Sequence, residues 1–302
     1  MHDFRRMGPS GLDAFLAAHG GAASAQLDAV CAQKDAHTAL LYWFTDLDAA
    51  IALARRTGRP ILSLRLLGRL DQELSCANSR FFRKALYVDP AINLRLRQRF
   101  VLHWQSVRPV PLVTIDFGDG RRLTRTLTGN SAHLVLDPTG RVVDALPGLF
   151  AADVFARLLD AAHAMATMDR QHLATAHRRA LERPLAPPPP PPRALAASQL
   201  APGKHRVEAP VLRGVSMDVE HDTHQNLALH AQVHAVFAAG MQWTVDQLVD
   251  WLYRELFLMP PDDPALGLDV PDPFSAVPGP NPIDYRSSRP TNVGSISSRT
   301  NA

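Results

Sequence analysis

The chain has 302 residues, 46% hydrophobic and 20% charged, with a net charge of +3, which is enough for a packed core in one or two domains. The basic residues form no long run, so a dedicated nucleic-acid surface is not expected, and no stretch reaches the roughly 18 apolar residues of a membrane span. The two cysteines, Cys31 and Cys76, are too few and too far apart for a disulfide framework or a thiolate zinc site. No apolar segment of signal-peptide length follows Arg5-Arg6. The expectation is a soluble cytoplasmic protein in a reducing compartment.

Residues 1–37 read as a helical N-terminal arm, with weak helical patterns at Gly11 to His19 and Ala22 to Gln33. Cys31 lies there among Leu27, Val30 and Ala32, as a small buried apolar residue. Leu40 to Phe44 is an aromatic-rich run read as a strand. Thr45 or Asp46 can cap the helix that follows, which carries Leu47, Ile51, Leu53 and Ala54 and stops at Gly58. Pro60 to Leu66 is a buried strand, so strand, helix and strand suggest a parallel crossover.

Cys76 stands next, at the start of a helix expected from Ser79 to about Leu86. Unpaired amides and the helix dipole favour a thiolate at such a place, with Arg80 and Arg83 on the first turns. Asp89-Pro90 opens another helix, through Ile92, Leu96 and Phe100. Phe100 to Val107 and Val110 to Phe117 are extended, Gly118-Asp119-Gly120 is a turn, and Leu123 to Leu127 returns as a short strand. Ala132 to Asp137 and Arg141 to Leu146 flank Pro138-Thr139-Gly140 as a β-hairpin. A helix follows over residues 151–168, then an exposed basic one over 169–183.

Pro187 to Pro192 is an unbroken proline run, read as a polyproline II spacer at a domain boundary. Beyond it, Val207 to Val219 reads as extended and His224 to Ala239 as a helix. Thr244 caps a further helix with Leu248, Trp251, Leu252 and Leu256 on its apolar face, ended by Pro260-Pro261. Residues 271–302 have the composition of a disordered tail. The expected organisation is an arm at 1–37, an α/β domain at 38–166, a helix and proline-rich linker at 167–206, a small mainly helical region at 207–270, and the tail.

Taken in order, residues 38–165 resemble a thioredoxin-like domain. The resemblance rests on Arg59-Pro60-Ile61-Leu62 as central strand, Cys76-Ala77-Asn78-Ser79 at the Cys-x-x-Cys position, and Val88-Asp89-Pro90-Ala91-Ile92 opening the next helix. Arg99 to Leu102 as a strand and the hairpin from His133 to Val142 complete it. It implies a thioredoxin-like central sheet flanked by helices, with Cys76 as attacking thiol and Ser79 one turn away. It also implies a substrate groove at Ser131, Ala132 and His133, facing the motif. Ser75 stands where the family usually has Trp before the first cysteine, and two further departures matter more. Ser79 cannot resolve a mixed disulfide, which excludes a dithiol cycle within the motif. No proline precedes the hairpin strand, so a trans bond is expected at Ala132.

Two functions follow. One is a binding or scaffold protein on a degenerate thioredoxin-like fold, with a protein partner. The other is a monothiol redox protein acting through Cys76 on a protein or glutathione. No cofactor is expected. His221, His224, His230 and His234 cluster in one segment, and His230 and His234 share a helical face at a spacing that can bind a metal, although a surface helix carries such residues as readily. The segment lacks the His-Glu-x-x-His pattern of metalloproteases.

Overall fold

A computed structural model describes residues 2–126, 129–185, 219–264 and 266. The Pro187–Pro192 run, the expected extended segment at 207–218 and the expected tail from 271 lie outside them.

The protein is α/β, built on a mixed sheet of four strands in the order β2-β1-β5-β6. These are β1 (Ile61–Leu67), β2 (Val101–Arg108), β5 (Ser131–Leu136) and β6 (Val142–Pro147). β1 runs parallel to β2, with Ile61 opposite Val101, and antiparallel to β5, with Ile61 opposite Leu136. β5 and β6 form the antiparallel hairpin expected around Pro138-Thr139-Gly140. Every residue of β1 is buried, so the central strand is covered on both faces. A separate two-stranded hairpin, β3 (Leu112–Asp116) and β4 (Arg122–Thr126), carries exposed Leu112 and Phe117.

The helices follow local rules. Asp46 accepts from the amides of Asp48 and Ala49 at the start of α4 (Leu47–Thr57), and Gly58 ends it in the left-handed conformation. Asp89 caps α6 (Pro90–Arg99) in the same way. α5 (Ala77–Phe81) runs into a π-helical turn, Phe82–Leu86. α7 (Ala152–Met165) packs on β6 and α6, where Arg95 grips Asp160 with two 2.9 Å hydrogen bonds.

The expected strand at Leu40–Phe44 does not form. Leu40 has φ 51°, and the Trp43 amide and indole are taken by Cys31 O and Gln33 Oε1 of the arm. Phe44 alone bridges β2, parallel to it, so α4 crosses from the sheet edge past β2 to β1. The arm itself is α1 (His2–Arg6), α2 (Pro9–His19) and α3 (Ala25–Cys31), which share a small core of Leu12, Phe15, Leu27, Val30 and Cys31.

α8 (Arg170–Glu182) is basic outside, but Leu173 and His177 on its other face are buried. They lie under α9 (Val219–Ala238), which starts before the expected His224 and packs along α8 and β6. Thr223 Oγ1 accepts the Ala151 amide at 2.7 Å, and Asn226 Nδ2 donates to Leu149 O at 2.8 Å. These bonds hold α9 to the turn between β6 and α7. α10 (Val245–Trp251), with its reciprocal Thr244–Gln247 capping box, leads into a π-helical turn, Leu252–Leu256. Leu248, Leu252 and Tyr253 join the same hydrophobic core as β1. No helix among the described residues is long and apolar enough to cross a membrane.

Two buried histidines make this core sensitive to acid. His103 on β2 lies 2.8 Å from Ser63 Oγ, and burial, aided by Arg65, pushes its pKa down to about 3. His133 on β5 lies 2.7 Å from Tyr87 Oη, and burial takes it to about 3 as well. A depressed histidine pKa means that the unfolded chain binds the proton first, so stability falls as pH drops below about 6.5. Each group removes on the order of 2 kcal/mol between pH 7 and pH 5. Urea unfolding at the two pH values is expected to show a much lower midpoint at pH 5. His133→Phe is expected to flatten that dependence, and an unchanged slope would show that His133 does not stay neutral.

Candidate functional site

Two groups of side chains have the chemistry for function. The first surrounds Cys76, which stands just before the short helix α5 at its N-cap position, without a side-chain capping bond. Its amide bonds Leu67 O at 3.1 Å, which anchors the helix start to the end of the central strand. Ser79 Oγ lies 2.6 Å from Ser75 Oγ and donates to Cys76 O at 2.8 Å.

The thiol is sealed. Cys76 is 0% exposed, and so are Ser75 and Ser79. A Cβ at Gly129 would lie 2.6 Å from Cys76 Cβ, so that loop sits directly on the cysteine. The C-terminal unit closes the same region, since Tyr253 Oη donates to Asn130 O at 2.9 Å. Burial pushes the Cys76 thiol up, and the Ser79 amide and hydroxyl, with Arg80, only partly oppose it. Arg83, expected to support a thiolate, instead lies fully buried with Nη1 3.4 Å from Asp35. Arg80 donates to Ser75 O and Thr126 Oγ1, each at 3.1 Å.

Ser131, Ala132 and His133 are all buried in β5, between β1 and β6, and none reaches the surface. The peptide bonds are trans, as expected at Ala132. Cys31 is buried in the arm, where desolvation pushes its thiol up to about 12. A cleft of about 880 Å³ opens between the arm and the end of β2, near Asp28, Arg69 and Trp104; neither cysteine lines it.

The second group lies where β6, α8 and α9 meet. Asp144 sits in an otherwise apolar strand, Val142-Val143-Asp144-Ala145-Leu146, and is 1% exposed. Its carboxylate accepts the Ala145 amide at 2.8 Å and lies 3.0 and 3.2 Å from His230 Nε2. A carboxylate can only accept when ionised, so His230 Nε2 carries the proton. Burial would raise Asp144, but His230, with His234 and His177 behind it, holds the carboxyl well below the usual carboxylate range.

His177 Nε2 lies 3.0 Å from Val143 O, which fixes a proton on Nε2 because a carbonyl only accepts. Its Nδ1 is 2.7 Å from His234 Nδ1. The neutral His177 therefore offers an Nδ1 lone pair, and His234 donates to it. Burial keeps His177 below its ordinary range and takes His234 down to about 4. Phe237 stacks on His177 with ring centroids 4.8 Å apart.

His230 and His234 share a face as their spacing requires, but the face is not on the surface: His230 is buried. Asp144 and His177 are the members that sequence reasoning missed. Their signals were present: a lone carboxylate inside an apolar strand needs a partner, and His177 follows Leu173 by four on the buried face of α8. No protein-family model, curated protein or solved structure matches the chain.

The packing at Cys76 can be tested directly. Gly129→Ala is expected to lower stability by roughly 1–3 kcal/mol, because the new methyl overpacks the cysteine. Chemical denaturation measures it, and an unchanged stability would show that the loop at Gly129 moves freely away from Cys76.

Proposed function

We propose that the chain is a binding or scaffold protein on a thioredoxin-like sheet whose motif has lost its redox chemistry. The observation that carries this reading is the complete burial of Cys76 beneath Gly129. A thiol reacts as the thiolate and must meet its disulfide partner. Here the thiolate is disfavoured by desolvation, and neither glutathione nor a protein disulfide can reach it without opening the core.

Three features support the thioredoxin-like part. Phe44 bridges β2 in parallel, β1 is central and parallel to β2, and the segment up to Met165 ends with an antiparallel hairpin and a helix. That is the order of elements that the resemblance implies. Cys76-Ala77-Asn78-Ser79 begins the helix after the central strand. With the catalytic groups enclosed, what such a fold retains is a rigid frame for contact with a protein partner.

Alkylation of Cys76 as a function of pH, in a Cys31→Ala background, separates the two functions. The native protein is expected to resist alkylation from pH 6 to 9 and to react fully once unfolded in guanidinium. Rapid modification with a midpoint below about 7, well under the free-thiol value of about 8.5, would overturn the proposal in favour of the monothiol function.

A further inference from the structure

We propose that Asp144, His177 and His234 form a binding site for one divalent transition-metal ion of the zinc type, joining β6, α8 and α9. One carboxylate oxygen and two imidazole nitrogens, each from a different element, lie within 4.8 Å of one another. That donor set suits zinc and its neighbours, which bind imidazole nitrogen and carboxylate oxygen at about 2.0–2.2 Å. The inference stands apart from the proposed role of Cys76.

The outer contacts match those of a metal site. A ligating histidine donates its second N–H to a carbonyl or carboxylate, which orients the ring and fixes the tautomer. His177 does so through Nε2 to Val143 O at 3.0 Å, leaving Nδ1 as the donor atom. Asp144 is oriented by the Ala145 amide and by His230 Nε2, which contacts both carboxylate oxygens. His230 is thus a positioning residue, not a ligand. Buried Asp144 and His177 are held rigidly, while half-buried His234 stands at the rim and gives an ion a way in.

One adjustment is needed. The two Nδ1 atoms are 2.7 Å apart, sharing a proton in a hydrogen bond. Two nitrogens bound to one tetrahedral zinc stand about 3.3 Å apart at normal bond lengths. A small turn of the His234 ring supplies the difference. The His234 proton moves from Nδ1 to Nε2, so the ring stays neutral as the ion takes its place. Three protein ligands leave a fourth position for water. A hydrogen-bonded clamp that only docks α9 would use the same histidines without an ion, and it makes different predictions.

The test uses the full chain, stripped with chelator and titrated with Co²⁺ and then Zn²⁺. One equivalent of Co²⁺ is expected to bind with visible ligand-field bands, to be displaced by Zn²⁺, and to raise the thermal midpoint. His234→Gln, at the rim, is expected to keep the fold and lose the one-to-one site. His230→Gln is expected to weaken binding by roughly 10–100-fold while keeping the stoichiometry, as for a group orienting a ligand. Binding of clearly less than one equivalent, or equal affinity in folded His234→Gln, would overturn the proposal and leave the cluster as a docking clamp. Circular dichroism of each variant separates loss of the site from loss of the fold.

Discussion

The carboxylate of Asp144 is the constraint on which the organisation of this protein turns. It sits in the edge strand of the sheet, among Val142, Val143, Ala145 and Leu146, with almost no access to water. A buried carboxylate without a partner is strongly unfavourable, and removing one member of a buried pair typically costs 3–5 kcal/mol. Its hydrogen-bonded compensation from outside its own strand comes from His230 on α9, 86 residues further along the chain, with His177 and His234 behind it. Docking α9 over β6 both removes Asp144 from water and supplies its partner, so the two are coupled. The same requirement places α8, because His177 bonds the backbone of β6 on one side and His234 of α9 on the other.

Once α9 is docked, the rest of the C-terminal region is positioned too. Thr223 and Asn226 satisfy backbone groups at the start of α7, and a side chain at Gly148 would collide with Asn226. α10 and its π-helical turn bring Leu252 and Tyr253 into the central core, and Tyr253 ties down Asn130 beside the loop that covers Cys76. The cysteine is thus enclosed by the loop at Gly129 and by the C-terminal region that ties that loop down. A helix start that would favour a thiolate in solvent becomes, under this cover, a packing position. Local electrostatics and burial act in opposite directions here, and burial is the larger.

How much of this was legible in the sequence depends on distance along the chain. Asp46, Gly58, Asp89 and Thr244 act within a few residues of themselves, and each caps the helix that its type and place announced. The β5–β6 hairpin was equally plain, because Pro138-Thr139-Gly140 is a local turn signal. Leu40 to Phe44 misled, since the aromatic run is held by Cys31 and Gln33 of the arm, which a strand pattern does not encode. The spacing of His230 and His234 showed that they share a face. What that face meets depends on Asp144 and His177, and no periodicity links residues so far apart. The burial of Cys76 escaped notice for the same reason: Gly129 and Tyr253 lie remote from it in sequence.

The central claim is that α9 is an integral part of the α/β core and not an appended unit. Native-state hydrogen exchange with increasing denaturant measures this most directly. Amides of α9 around His230 and of β1 around Leu64 are expected to exchange through one shared global opening, with the same free energy and the same denaturant dependence. Exchange of α9 through a separate opening of much lower free energy, with β1 still protected, would contradict the account.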